Sequence, residues 1–364
     1  MLFRSGDDLY IVDHVGDTVV ELAGEGALDS VTSAVTYSLS AHVENLVLTG
    51  SAAISGNGND LDNVLTGNSA ANVLTGLGGN DTYIIGAGDT VVEAVGGGAD
   101  TVVSIVTHTL AANVDNLTLV GFSAISGIGN ALDNVLNGLF NLAGNTLTGG
   151  GGHDTYVIGA GDTVVEAANG GADTVKAGFS YTLGANVEHL TLTGIGAING
   201  TGNALDNALT GNSANNTLTG ANGNDTLRGG LGNDTVNGGS GNDLFLFGRG
   251  DGQDLIQDNS GTADKLLYDA SINPLDLVIS RQANDLRLAI HGSSDQITVQ
   301  NWYGGTVNRT ETIQAGNGQM LLSTQVDQLV QAMASFTQQT GLSWDQAIDQ
   351  RPQDVQTVLA ASWQ

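Results

Sequence analysis

Asp225, Asp234 and Asp243 recur every nine residues in a run otherwise built of glycine, asparagine and single apolar residues. Each is the sixth residue of a nonapeptide: Gly220–Arg228, Gly229–Asn237 and Gly238–Leu246. Glycine opens every copy, and the eighth residue is apolar (Leu227, Val236, Phe245). Glycines tolerate positive φ and let backbone groups converge, so the first six positions suit a turn. The last three suit a short strand with one side chain pointing inward. If every second turn returns to the same edge, Asp225 and Asp243 face each other across adjacent coils. Asp234 then points to the opposite edge, where Asp254 is placed to join it. Two carboxylates about 5 Å apart repel by roughly 3 kcal/mol at an effective dielectric near 20. A hard dication removes that penalty, and Ca2+ accepts many oxygens, including the carbonyls that a glycine turn exposes. The candidate metal ligands are therefore Asp225, Asp234, Asp243, Asp251 and Asp254, with Gly223, Gly232 and Gly241 in the turns and Asp81 and Asp154 as isolated sites upstream.

A unit of nine residues cannot bury its apolar position alone, so copies must stack. The same logic extends toward the N-terminus in longer units. Asp8, Asp81 and Asp154 open similar segments, each 73 residues from the next. Within each, GDTVVE follows (Gly16 to Glu21, Gly88 to Glu93, Gly161 to Glu166), then an Asp-Ser/Thr-Val strand from Asp29, Asp100 or Asp173. A third element begins at Leu39, Leu110 or Leu183. The closing nonapeptides carry Asn63, Asn72, Asn207 and Asn216 where aspartate is expected, and Gly138–Asn145 is longer by two residues. Asparagine tolerates the left-handed region and hydrogen-bonds its own turn, so an asparagine ladder replaces an ion there. Residues 1–219 are thus expected to form a metal-poor solenoid, and 220–258 the metal-binding roll.

These nonapeptides closely resemble the GGxGxDxUx signature of RTX (repeats-in-toxin) proteins. That resemblance implies an all-β fold, a calcium-loaded parallel β-roll or β-helix solenoid, and a secreted or cell-surface location. The run GDGQDLIQD, followed by NPLDLVISRQANDLRLAI and ETIQAGNGQ, resembles the haemolysin-type calcium-binding-related module that follows such repeats. Residues 259–322 read as this β-rich cap, with strands starting at Leu266, Leu277, Leu286, Ile297 and Glu311. Residues 323–364 turn helical: Val326, Leu329, Val330, Met333 and Phe336 share one face, with Thr324–Asp327 as a capping box. Pro352 opens a second helix with Val355, Val358, Leu359 and Trp363 inward. Position at the C-terminus, with the family resemblance, implies an uncleaved signal read by a type I secretion apparatus.

Composition narrows the function further. The chain has 364 residues, 54 glycines without a three-residue period, 2 prolines and 40% hydrophobic residues, which excludes collagen and argues against disorder. A net charge of −29 disfavours nucleic acid and anionic membrane surfaces as partners and suits calcium uptake. With no cysteine, there are no disulfides or thiolate metal sites. No apolar run is long enough to span a membrane. The opening Met1-Leu-Phe-Arg-Ser is not a usual export leader and runs into Gly6-Asp-Asp8, the middle of a repeat, so a start further upstream is expected.

Enzymatic motifs are missing: there is no GxSxG elbow, P-loop or HExxH, and the acidic residues sit at repeat positions. His14, His42, His108, His153, His189 and His291 fall at mostly unrelated places and read as solvent-facing. Arg249-Gly250-Asp251, a tripeptide read by integrins elsewhere, sits in a run of Gly-Asp turns and reads as turn chemistry. The expectation is a non-enzymatic calcium-binding repeat protein whose roll folds outside the cell. The alternatives are the secretion and folding tail of a larger hydrolase or toxin, and a repetitive surface adhesin or matrix protein.

Overall fold

The structure, a computed structural model, describes residues 6–364. Residues 1–5, which carry the question of an export leader, lie outside the described residues. The protein is mostly β, a parallel solenoid of glycine-rich coils with three C-terminal helices. It divides into two compact units, one ending at Thr174 and one beginning at Val175.

Side-chain alternation builds the first unit. In Thr82–Ile85 the residues Tyr83 and Ile85 are buried while Thr82 and Ile84 face outward, as a period of two requires. Parallel pairing stacks the inward residues of successive coils into one column. Tyr10, Val31, Leu46, Leu65, Tyr83, Val102, Leu117, Leu136 and Tyr156 follow one another in register, all buried. Two short four-stranded sheets form the opposite wall. One runs through Tyr37–Ser38, Ser55–Asn57, Val73–Thr75 and Thr90–Val92, the other through His108–Thr109, Ser126–Ile128, Thr146–Thr148 and Thr163–Val165. The two extra residues after Gly138 are accommodated as a bulge that leaves Leu139, Phe140 and Leu142 exposed.

The second unit has a column of the same kind, formed by Leu190, Leu209, Leu227, Phe245, Leu266, Ile313 and Leu321. The parallel pattern then stops on both walls. Met320–Leu322 runs antiparallel to Thr312–Gln314, and Asp285–Ile290 runs antiparallel to both Gln296–Val299 and Leu277–Gln282. Reversed strands end the run of parallel pairing that an open edge would offer to another chain. Trp302 is fully buried and packs in this cap, as a core residue rather than a ligand platform.

Three helices follow: α1 (Ser323–Thr340), α2 (Trp344–Gln350) and α3 (Pro352–Ala360). The stripes expected for α1 and α3 are present, with Val326, Leu329 and Met333, then Val355 and Leu359, buried. The start of α1 differs from the expectation. It begins one residue before Thr324, and Gln325, not Asp327, reaches back to the Leu322 amide at 3.3 Å. Helix α2 was not foreseen, although Ser343 and Gln346 form a capping box: the Gln346 amide donates to Ser343 Oγ at 3.1 Å, and the Ser343 amide to Gln346 Oε1 at 3.0 Å. Its seven residues are too short to show a helical period.

Candidate metal centre

The glycine turns carry the nonapeptide aspartates inward, and Asp225, Asp234 and Asp243 are all buried. On one edge, the Asn207 amide donates to Asp225 Oδ1 at 2.7 Å, the Asp225 amide to Asp243 Oδ1 at 2.8 Å, and the Asp243 amide to Asp264 Oδ1 at 2.7 Å. On the other edge, the Asn216 amide donates to Asp234 Oδ1 at 2.7 Å, and the Asp234 amide to Asp254 Oδ1 at 2.9 Å. Asp225 thus meets Asp243, and Asp234 meets Asp254, as the spacing anticipates.

One oxygen of each carboxylate is taken by an amide of the neighbouring coil. The other, Oδ2 of Asp225, Asp234, Asp243 and Asp264, is buried and has no hydrogen-bond partner among the described residues. Those of Asp225, Asp234 and Asp243 point at the opening glycine of their own repeat. A methyl group built on Gly220 would lie 2.1 Å from Asp225 Oδ2 and 2.4 Å from the Gly238 carbonyl oxygen. One on Gly238 would lie 2.0 Å from Asp243 Oδ2. Glycine keeps that space clear, and oxygen atoms border it. A set of carboxylate and carbonyl oxygens without sulfur or imidazole fits a hard divalent cation of the calcium class.

The electrostatics point the same way. Burial, reinforced by the Asp243 charge, pushes Asp225 up to about 7 against the opposing pull of the Asn207 amide. Burial raises Asp234 to about 6 and Asp254 to about 8. Among the described residues no lysine or arginine is ion-paired with these three or with Asp243.

Other candidates fall differently. Asp251 stands outside both ladders: its Oδ2 accepts the Gly248 amide at 2.7 Å and its Oδ1 lies 3.6 Å from the Arg228 guanidinium. A carboxylate already facing a cation has little need of a second one, so it is read as a turn residue. With Asp251 buried and Arg249 bonded to Asp276 at 2.8 Å, the Arg-Gly-Asp tripeptide is not displayed. Gly223, Gly232 and Gly241 take φ of 113°, 125° and 135°. The carbonyl that borders the space at Gly220 with Asp225 Oδ2 is that of Gly238, however, while the Gly223 carbonyl oxygen lies 1.9 Å from where a methyl group on Gly241 would be.

The asparagine positions explain themselves by comparison. Asn207 Oδ1 accepts the Asn203 amide at 2.7 Å, and Nδ2 donates to the carbonyls of Val187 and Glu188 at 3.1 and 3.2 Å. Asn63 makes the equivalent bonds. The amide group supplies the positive end that aspartate lacks. These asparagines do not use the left-handed region; His42, Asn113 and Asn186 do, at matching places in the third element.

Asp81 and Asp154 are on ladders of their own. Asp81 Oδ1 accepts the Asn63 amide at 2.7 Å, and the Asp81 amide donates to Asp100 Oδ1 at 2.8 Å. Asp154 repeats this with Asn134 and Asp173, both at 2.8 Å. Sequence reasoning missed what joins them. Glu93 and Glu166, the last residues of GDTVVE, turn into the same clusters. It also missed Asp258, raised by burial and by Asp264 beside it. The histidines do not converge on any of these sites. Contrary to the solvent-facing expectation, His108, His189 and His291 are half-buried, and burial lowers the pKa of His108.

Comparison with known families bears directly on these turns. Residues 57–92, 144–165, 201–236, 210–245 and 219–254 match the RTX calcium-binding nonapeptide repeat, and residues 285–319 match the haemolysin-type calcium binding protein related domain. The chain carries RTX calcium-binding repeats. Ca2+ is therefore the ion that the nonapeptide turns imply. The RTX matches include Asp81 and Asp154 as well as the three tandem copies, so the repeat character reaches well into the region expected to be metal-poor. They stop short of Asp100, Asp173, Asp258 and Asp264.

Proposed function

We propose that this RTX chain is an exported, non-catalytic protein whose β-roll orders when extracellular Ca2+ fills the aspartate ladders, after passage through a type I secretion apparatus that reads the C-terminal helical segment. The observation that carries the reading is the set of buried, unpartnered Oδ2 atoms on the two edges, those of Asp225 and Asp243 on one and of Asp234 on the other. Asp254 completes the ligand set on the second edge. With a net charge of −29, the chain repels itself at the low calcium of a cytoplasm and is held extended for export. Outside, occupancy and folding are one equilibrium, and sites of extracellular modules have dissociation constants around 10⁻⁴ to 10⁻³ M. The absence of any helix long and apolar enough to cross a membrane among the described residues is compatible with a released or surface-held product. Circular dichroism of the full chain in chelator and in millimolar calcium tests the coupling. Strand signal that grows with calcium and saturates supports it; a chain equally folded in chelator contradicts it.

A further inference from the structure

We propose that the 73-residue units carry a second kind of cation site: Asp81, Glu93 and Asp100 with the Tyr83 hydroxyl, and Asp154, Glu166 and Asp173 with the Tyr156 hydroxyl, each taking one hard divalent cation.

Strand alternation places the glutamate. In Thr90–Val92 the middle residue Val91 is inward and its neighbours are outward, so the next inward position is Glu93. The coil therefore delivers a carboxylate at the rung where the register of the preceding coils places glycine, Gly76 and Gly58. Glu166 arrives identically after Val164. In each cluster one oxygen from every acid lies within 4.8 Å of the others. The buried residues include Asp81, Glu93 and Asp100 in the first cluster and all three acids in the second.

Burial of three acids is not by itself a site, and the decisive feature is the direction of the unpartnered oxygens of Asp81 and Asp154. Oδ1 of Asp81 and of Asp100 is already occupied by an amide. Oδ2 of Asp81, Asp100 and Asp154 is buried and has no partner among the described residues. Those of Asp81 and Asp154 share their aim with the tyrosine. A methyl group on Gly76 would lie 1.9 Å from Asp81 Oδ2, 2.3 Å from the Tyr83 hydroxyl and 2.5 Å from Glu93 Oε1. At Gly149 the corresponding distances are 1.9 Å to Asp154 Oδ2 and 2.4 Å to the Tyr156 hydroxyl. The tyrosine hydroxyl donates to the glutamate and can neutralise only part of one charge. An all-oxygen pocket with three acids matches a calcium-class ion and not a soft metal. Asp8, Glu21 and Asp29 with Tyr10 form a third, more open copy, with Asp8 half-buried. In the second unit Phe245 and Asp258 stand where the tyrosine and glutamate would be, so the hydroxyl is missing there.

The nonapeptide ladders do not use Glu93 or Glu166, so the two kinds of site fail separately. Calcium bound by the full chain is counted by equilibrium dialysis for wild type, for Glu93→Gln with Glu166→Gln, and for Asp225→Asn with Asp243→Asn. The glutamine pair is expected to bind two ions fewer than wild type. An unchanged count means that shared protons hold the clusters, and overturns the proposal while leaving the ladders intact. A loss confined to the asparagine pair has the same meaning. Terbium provides a readout that does not depend on removing a carboxylate. Tyr83→Phe with Tyr156→Phe keeps every carboxylate and is expected to bind the same number of ions with weaker tyrosine-sensitised terbium emission. Emission equal to wild type places no ion beside these tyrosines and overturns the proposal even where the glutamine pair does not fold.

Discussion

The backbone amide of Asp225 donates to Oδ1 of Asp243 at 2.8 Å, while Oδ2 of both residues is buried without a partner. Each carboxylate is thus divided in its duties: one oxygen ties adjacent coils together, and the other is held ready for a cation. Asn207, one rung earlier, needs no ion because its Nδ2 donates to two carbonyls of the coil before it. The difference between an ion-dependent rung and an ion-independent one is a single amide group.

That contrast predicts the effect of Asp225→Asn. An unsatisfied buried polar atom costs about 1–3 kcal/mol, so the asparagine chain is expected to be more stable than wild type in chelator by an amount of that order. In saturating calcium it is expected to be less stable, because a ligand has been removed. Thermal unfolding with and without calcium checks both signs.

Proton and calcium compete for the same oxygens. Asp225 and Asp254, ordinarily near 3.8, are raised to about 7 and about 8 by burial. A raised folded-state pKa means that the folded chain holds protons which the unfolded chain has lost. Its stabilising contribution is complete below about pH 4 and disappears as pH rises through 7 and 8. In chelator the melting temperature is expected to fall steadily over that window. In excess calcium the decline is expected to flatten.

Gly241 takes φ of 135°, and a methyl group there would lie 1.9 Å from the Gly223 carbonyl oxygen. Gly241→Ala must therefore push two coils apart as well as strain its own backbone. A loss of at least about 1–3 kcal/mol is expected in denaturant unfolding. Gly16 has nothing within 4 Å of an added methyl and no positive φ, so Gly16→Ala is the matched control and is expected to be near neutral.

His291 ties helix α2 to the cap through Asp345 at 2.7 Å and Asp349 at 3.1 Å. Its hydrogen bond to Asp345, with further help from Asp349, raises its pKa above 6.5. The link is complete below pH 6.5 and is lost as pH rises through the raised value. The partners are exposed, so the effect is expected to stay within about 1 kcal/mol. Hydrogen exchange of the α2 amides is expected to accelerate with rising pH beyond its intrinsic dependence, and His291→Ala is expected to abolish that excess.

The sequence made the nonapeptide edges legible because turn and strand alternate at a fixed interval, which fixes both the side and the rung of Asp225, Asp234, Asp243 and Asp254. Glu93 and Glu166 escaped notice for the opposite reason. GDTVVE reads as a β-branched strand, and its glutamate looks like a polar terminus until the inward phase set by Val91 and Val164 is known. Asp251 reads as a ligand in the sequence because it lies in a degenerate continuation of the glycine turns; only the positions of the Gly248 amide and Arg228 distinguish it. The cap strands were visible in their alternation, whereas their switch from parallel to antiparallel pairing depends on contacts that no single strand encodes.

Crystals of the full chain grown with terbium give the most direct measurement of the central claim, because the anomalous signal locates each ion independently of the protein phases. The account predicts a peak within normal bonding distance, about 2.3–2.6 Å for calcium-class ions, of Asp225 Oδ2, with a second class of peak on the Asp234–Asp254 edge. Ordered aspartates with their amide ladder intact and no anomalous density beside any Oδ2 would contradict it.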